Sequence, residues 1–182
     1  MGCEGPPSHP RSDLDQQLFG AAAVRIHPTF TQLRNLSGGT KPDGIEATLE
    51  IDDQFGEPTR STGCVRFELF HYRKTSPQVR GDRIGGPWKF CLNTVGEQQE
   101  HWNSALRAYT FQISFPQISA SRYYVLTAQF DLNGEAATKP AAPTSGPSTR
   151  AAGRLFDQLI LAPQAEEKDR GHYHAPIHTP GH

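Results

Sequence analysis

The chain has 182 residues, enough for one domain with tails, and its net charge of −1 comes from Lys and Arg scattered without a basic stripe, which excludes the electrostatic footprint of a nucleic-acid binder. No stretch approaches the roughly 18 consecutive apolar residues of a helical membrane span, so any membrane attachment has to be covalent or through a partner. Hydrophobic content is 35%, with 15 Pro and 17 Gly, which reads as an ordinary core diluted by polar, Pro-rich ends.

Residues 1–19 carry Pro and charge with little periodicity and are predicted to be a flexible tether. A domain follows over residues 20–163. Its first segment, Gly20–Leu33, carries Val24, Ile26, Phe30 and Leu33 around Pro28, which marks an edge or a bend. Lys41-Pro42-Asp43-Gly44 is a turn, because Pro presets φ and Gly supplies a positive φ. Ile45, Ala47, Leu49 and Ile51 then alternate with Glu46, Thr48, Glu50 and Asp52, the period of a half-buried strand. A break at 53–58 precedes a strand over Cys64–Arg73, with Val65, Phe67 and Leu69 on one face and Arg66 and Glu68 on the other.

Thr75–Pro87 reads as a polar loop, and Trp88, Phe90 and Leu92 as the next strand. If these two strands form a hairpin in which Cys64 faces Cys91, opposed residue numbers sum to 155. Val65 then faces Phe90 and Phe67 faces Trp88, pairs that stabilise sheets, while Arg66 faces Lys89, a like-charge pair that does not. The two cysteines are either a structural disulfide closing a loop of about 28 residues or two reduced, partly buried thiols. No Cys-x-x-Cys is present to support redox catalysis.

Tyr109, Phe111, Ile113 and Phe115 share one face of a strand that Pro116 closes. Arg122–Leu132 places Tyr124, Leu126, Ala128, Phe130 and Leu132 inward. Residues 135–152 are rich in Ala, Pro, Thr, Ser and Gly and read as a flexible loop. The last strand, Arg154–Leu161, is apolar on both faces and is expected in the interior of a sheet. Residues 164–182 form a polar tail. About seven strands with turns between them and no amphipathic helix predict an all-β fold, an antiparallel β-sandwich with disordered N- and C-terminal tails. Tyr123-Tyr124 at the start of the penultimate strand resembles the tyrosine corner of immunoglobulin-like sandwiches, which implies that architecture here. A closed barrel is the alternative, distinguished by pairing between the first and last strands.

The N-terminus, Gly2-Cys3 followed by Glu4-Gly5-Pro6-Pro7-Ser8-His9-Pro10, resembles the processed start of a bacterial lipoprotein. The resemblance implies that Cys3 carries a diacylglycerol anchor and that residues 4–19 tether the domain. It further implies residence in the bacterial cell envelope, facing the periplasm or the cell surface, with an envelope protein as partner. An N-myristoylated start is the competing reading; it wants Ser or Thr at the sixth position, where this chain has Pro6. A chance cysteine in a disordered end is the third. Three cysteines then divide into one anchor and one pair.

His172, His174, His178 and His182 lie within the last eleven residues. Neutral imidazoles suit Zn²⁺, Cu²⁺ and Ni²⁺, so this cluster is the candidate metal site. The intervening Pro and Gly prevent a preorganised cage. Asp131, Asn133 and Glu135 read as a turn rather than a Ca²⁺ loop. Arg80-Gly81-Asp82 is a chance-level adhesion tripeptide, and no nucleophile elbow or phosphate loop exists. The sequence therefore predicts no catalytic residue. Its first functional expectation is a non-enzymatic, lipid-anchored envelope module for structure or protein interaction. An envelope metal-binding protein using the His tail is the second. The third is a carbohydrate-binding or hydrolase accessory domain in which Asp52, Asp53 or Glu57 approaches Trp88 or Trp102.

Overall fold

The computed structural model describes residues 20–132 and 154–164. The strands are β1 (Ala23–Ile26), β2 (Gln32–Arg34), β3 (Gly44–Asp52), β4 (Cys64–Tyr72), β5 (Arg80–Cys91), β6 (Trp102–Asn103), β7 (Ala108–Ser114), β8 (Tyr124–Asp131) and β9 (Arg154–Leu161), with one helix, α1 (Val95–His101), between β5 and β6. They form two antiparallel sheets. One has the order β1-β3-β7-β6, with β2 also on β3; the other has the order β5-β4-β8-β9. The all-β expectation holds.

The alternating segments became strands with the expected faces. Ile45, Ala47, Leu49 and Ile51 are all buried, as are Tyr109, Phe111 and Ile113. β1 pairs with the second half of β3 and β2 with its first residues, so the two are one edge strand interrupted around Pro28. The gap suits proline, which has no N–H to donate to a ladder. His27 organises the break: its Nδ1 accepts the N–H groups of Thr29 and Phe30 at 3.2 and 3.3 Å.

The core lies between the sheets. Phe67 of β4 meets Phe111 of β7 at 5.3 Å between ring centroids, and Phe90 of β5 meets the same ring at 5.0 Å. Burying each such side chain contributes about 1.5–3 kcal/mol. The rims are closed by individual hydrogen bonds. The Ile26 N–H on β1 donates to the Asp157 carboxylate on β9 at 2.7 Å, and Gln164 Nε2 donates to the Leu33 carbonyl at 2.7 Å. No ladder joins β1 to β9 among the described residues, and the sheets do not close into a barrel.

Three sequence expectations are corrected. Arg80–Pro87, read as loop, belongs to β5: Tyr72 pairs with Arg80, Phe70 with Arg83 and Leu69 with Gly85. This edge strand is held by its backbone ladder and has no apolar alternation to announce it. A helix is present, α1, although none of its residues is buried. It is built on a capping box: Thr94 Oγ1 accepts the Glu97 N–H, and the Glu97 carboxylate accepts the N–H groups of Thr94 and Asn93 at 2.8 and 2.9 Å. Those bonds, from Thr94 first, hold the Glu97 carboxyl below its ordinary range. Finally, β9 is an edge strand bonded to β8 alone, with Ile160 44% exposed, and not an interior one. Its outer apolar residues imitate the pattern of a strand buried on both faces.

Tyr124 fixes the β7–β8 corner. Its hydroxyl accepts the Ser119 N–H at 2.8 Å while its ring is buried. Tyr124→Phe keeps the ring and leaves that N–H unpaired. The expected loss is about 1–2 kcal/mol of unfolding free energy, read from urea denaturation followed by circular dichroism.

Candidate functional site

The cysteine pair lies where the register places it. Cys64 faces Cys91, Val65 faces Phe90, Arg66 faces Lys89 and Phe67 faces Trp88. The two sulfurs are joined as a disulfide across β4 and β5. Neither thiol is free for catalysis or metal. Arg66 donates from Nη2 to Gln129 Oε1 on β8 at 3.2 Å.

The other singled-out residues are taken up by the fold. Asp53 Oδ1 accepts the N–H groups of Phe55 and Glu57, which makes it the organiser of a turn. Asp52 lies 3.6 Å from Arg25, whose closer partner is Glu50 at 2.7 Å. Trp102 packs on Tyr109 at 5.0 Å, with Arg60 over its ring at 4.6 Å; Trp88 packs on Phe115 at 6.1 Å. His101 sits against Phe90 and Phe111 with Nδ1 3.2 Å from the Thr110 carbonyl, an acceptor only, so Nδ1 carries the proton. Arg80 lies over Phe70 and Asp82 pairs with Arg73, so the Arg-Gly-Asp tripeptide is part of a strand. Cys3 and the four tail histidines, His172, His174, His178 and His182, lie outside the described residues, as do Asn133 and Glu135. Among the described residues no three His, Cys, Asp or Glu gather to hold a metal ion.

Gln98 on α1 is a residue that sequence reasoning passed over. Its Nε2 donates to the Ser61 and Leu92 carbonyls at 2.9 and 2.7 Å, and its Oε1 accepts from the Tyr109 hydroxyl. One side chain thus pins the helix to both sheets. Burial pushes the Tyr109 phenol up, so it stays a neutral donor. The Thr94-x-x-Glu97 spacing was the signal that could have found this helix.

A cleft of about 590 Å³ opens at one end of the two sheets, lined by His71, Ile84, Phe115, Gln117, Ser119, Arg122 and Tyr124. Its elements are the end of β4, the first half of β5 and the β7–β8 connection. That connection is held at several points. Phe115 N–H donates to the Asp43 carbonyl at 2.8 Å, Ile118 N–H to the Phe115 carbonyl at 3.0 Å, and Gln164 N–H to the Ala120 carbonyl at 2.9 Å. The Tyr124 hydroxyl holds Ser119, and the His71 ring stacks on Tyr124 with centroids 6.5 Å apart. The Ser119 hydroxyl is bonded to that of Ser121 at 3.0 Å. The lining includes hydrogen-bond donors and aromatic side chains and no carboxylate, and the cleft is open to solvent. The acids and tryptophans expected for a hydrolase cleft, Asp52, Asp53, Glu57, Trp88 and Trp102, do not line it.

Two predictions rest on these sites. Replacing both Cys64 and Cys91 by Ala is expected to cost about 2–4 kcal/mol, and reductant should destabilise the wild type and leave the double variant unchanged in denaturant titrations. Asp52 provides the second. Burial raises its pKa, outweighing Arg25, and Glu50, Asp53 and Glu57 add to the rise. A carboxyl raised in the folded state contributes stability at low pH that is lost as pH climbs through its folded pKa. Asp52→Asn should therefore gain on the wild type as pH rises above the ordinary carboxyl value of about 4, with the difference levelling off once Asp52 is ionised. Thermal melts across that range measure it. No protein-family model, curated protein or solved structure matches the chain.

Proposed function

We propose that this chain is a non-enzymatic interaction module of the bacterial cell envelope, held at a membrane by lipid on Cys3. The observation that carries the reading is the pairing of Cys64 with Cys91. Structural disulfides persist in oxidising compartments outside the cytoplasm. The bond uses two of the three cysteines, and the third, Cys3, lies in the Pro-rich N-terminal sequence outside the described residues. A cysteine behind Gly2 and ahead of Glu4-Gly5-Pro6-Pro7 fits an anchor.

The architecture we infer is an immunoglobulin-like sandwich. In that topology strands A, B, E and D form one sheet and C, F and G the other, with C′ beside C in larger members. Here β1 with β2, β3, β7 and β6 read in order as A, B, E and D, and β5, β4, β8 and β9 as C′, C, F and G. The Tyr124–Ser119 hydrogen bond at the start of β8 supports the same assignment. The disulfide departs from antibody domains, which bridge strands B and F between sheets; this one joins neighbours within a sheet. Such a sandwich presents loops at two ends and two outer faces, surfaces that serve recognition.

The test is expression in a bacterium with the native upstream sequence, followed by intact mass of the membrane fraction. A mass beginning at Cys3 with acyl chains is expected, and Cys3→Ser should give an unacylated protein recovered in the soluble fraction. A full-length product without acylation, distributed identically for both, would overturn the anchor.

A further inference from the structure

The cleft at the β7–β8 corner is lined by one arginine, Arg122. Of the described arginines, Arg25, Arg34, Arg73, Arg83, Arg107 and Arg154 each reach a carboxylate within 4.0 Å. Arg66 reaches the Gln129 amide, and Arg60 and Arg80 lie over aromatic rings. The Arg122 guanidinium has no partner of any of these kinds among the described residues, and it lines the cleft. A guanidinium offers a planar fork of donors that matches a carboxylate. In the same lining, His71 adds a ring nitrogen, and the Gln117 amide and Ser119 hydroxyl add neutral polar groups. No acid lines the cleft to compete for Arg122.

The apolar part of the lining is as specific. Phe115 and Ile84 are the half-buried apolar side chains of the lining, and Phe115 is braced edge-on by Trp88. Trp88 in turn lies across Gly85, where a Cβ would come within 3.3 Å of Phe115 as well. A volume of about 590 Å³ falls in the range of small-molecule sites. An arginine without an ion-pair partner among the described residues, in the same lining as Phe115 and Ile84, describes a ligand with an anionic group on a ring.

We propose that this cleft binds a small cyclic carboxylate, with the carboxylate on Arg122 and His71 and the ring against Phe115 and Ile84. A sugar acid and an aromatic acid share that chemistry. The site goes beyond the envelope reading and does not depend on it: acylation of Cys3 and binding at the cleft are measured separately, and either can fail alone.

The experiment is calorimetric and NMR titration of the full chain with galacturonate against galactose, and with 4-hydroxybenzoate against 4-hydroxybenzyl alcohol. At least one acid is expected to bind with a Kd on the order of 0.1–1 mM, with its neutral counterpart at least about tenfold weaker. Which acid binds identifies the ligand source. Arg122→Ala, at an exposed position, should melt as the wild type does and lose about ten- to hundredfold in affinity. Lys89→Gln, an exposed charge outside the lining, should bind as the wild type does. Neither acid binding better than its neutral counterpart, or Arg122→Ala and Lys89→Gln weakening binding equally, would overturn the proposal.

Discussion

Phe111 is the point at which the two sheets become one core. Its ring meets Phe67 and Phe90 of the opposite sheet and His101 at the end of α1, all within 5.3 Å between centroids. A sheet with one apolar face is stable only when that face is covered. The rims add little area. They consist of single hydrogen bonds, Ile26 to Asp157 on one side and the Gln98 contacts on the other. The arrangement therefore depends on the aromatic seam for energy and on the rims for register between sheets. Hydrogen bonds of the second kind contribute about 1 kcal/mol each, while loss of a core Phe costs about 3–5 kcal/mol.

The parts of this structure legible in the sequence are those where one strand face is buried and the other is not. Ile45 to Ile51 and Tyr109 to Ile113 alternate because β3 and β7 lie inside a sheet with one face on the core. The hairpin register followed from the same logic, since any slip by one residue would turn Val65 and Phe67 outward. Where that asymmetry is missing, the pattern is silent or misleading. The first half of β5 has charges and glycines at an edge, so only its ladder with β4 makes it a strand. α1 buries none of its residues, and its signature was the capping pair Thr94 and Glu97, not periodicity. In β9 an exposed Ile160 imitated a buried face. Tyr124 acts locally, its hydroxyl accepting the N–H of Ser119 five residues upstream.

Surface charge follows the two sheets unevenly. The first contains Arg25, Glu50 and Asp52 in one cluster, where the Glu50 hydrogen bond raises the Arg25 pKa and leaves Asp52 the weaker claim on that guanidinium. Burial then makes the Asp52 charge a cost, not a gain, in the folded state. Ion pairs of this exposed kind are worth about 0–1 kcal/mol each, so the acidic and basic residues shape what the surfaces attract more than how firmly they fold.

The cleft is a consequence of how β5 pairs with β4. From Cys64 to Phe67 the pairing runs without interruption under the disulfide. Past Phe67 the register shifts three times before Tyr72, with Gly86 at a φ of +90° inside the irregular stretch. A shift in register bends and twists the strand that carries it. Here the irregular stretch carries Ile84, which lines the same space as the β7–β8 connection, His71 and Tyr124. Those residues come from positions 71, 84 and 115–124, and no spacing in the sequence announces that they meet. A regular hairpin would continue the pairing seen at Val65 and Phe67 toward that end of the sheets. The same strand thus does two things along its length: near Cys91 it completes the aromatic seam through Phe90, and beyond Gly86 it forms one wall of an opening beside an arginine that the fold leaves without a partner among the described residues.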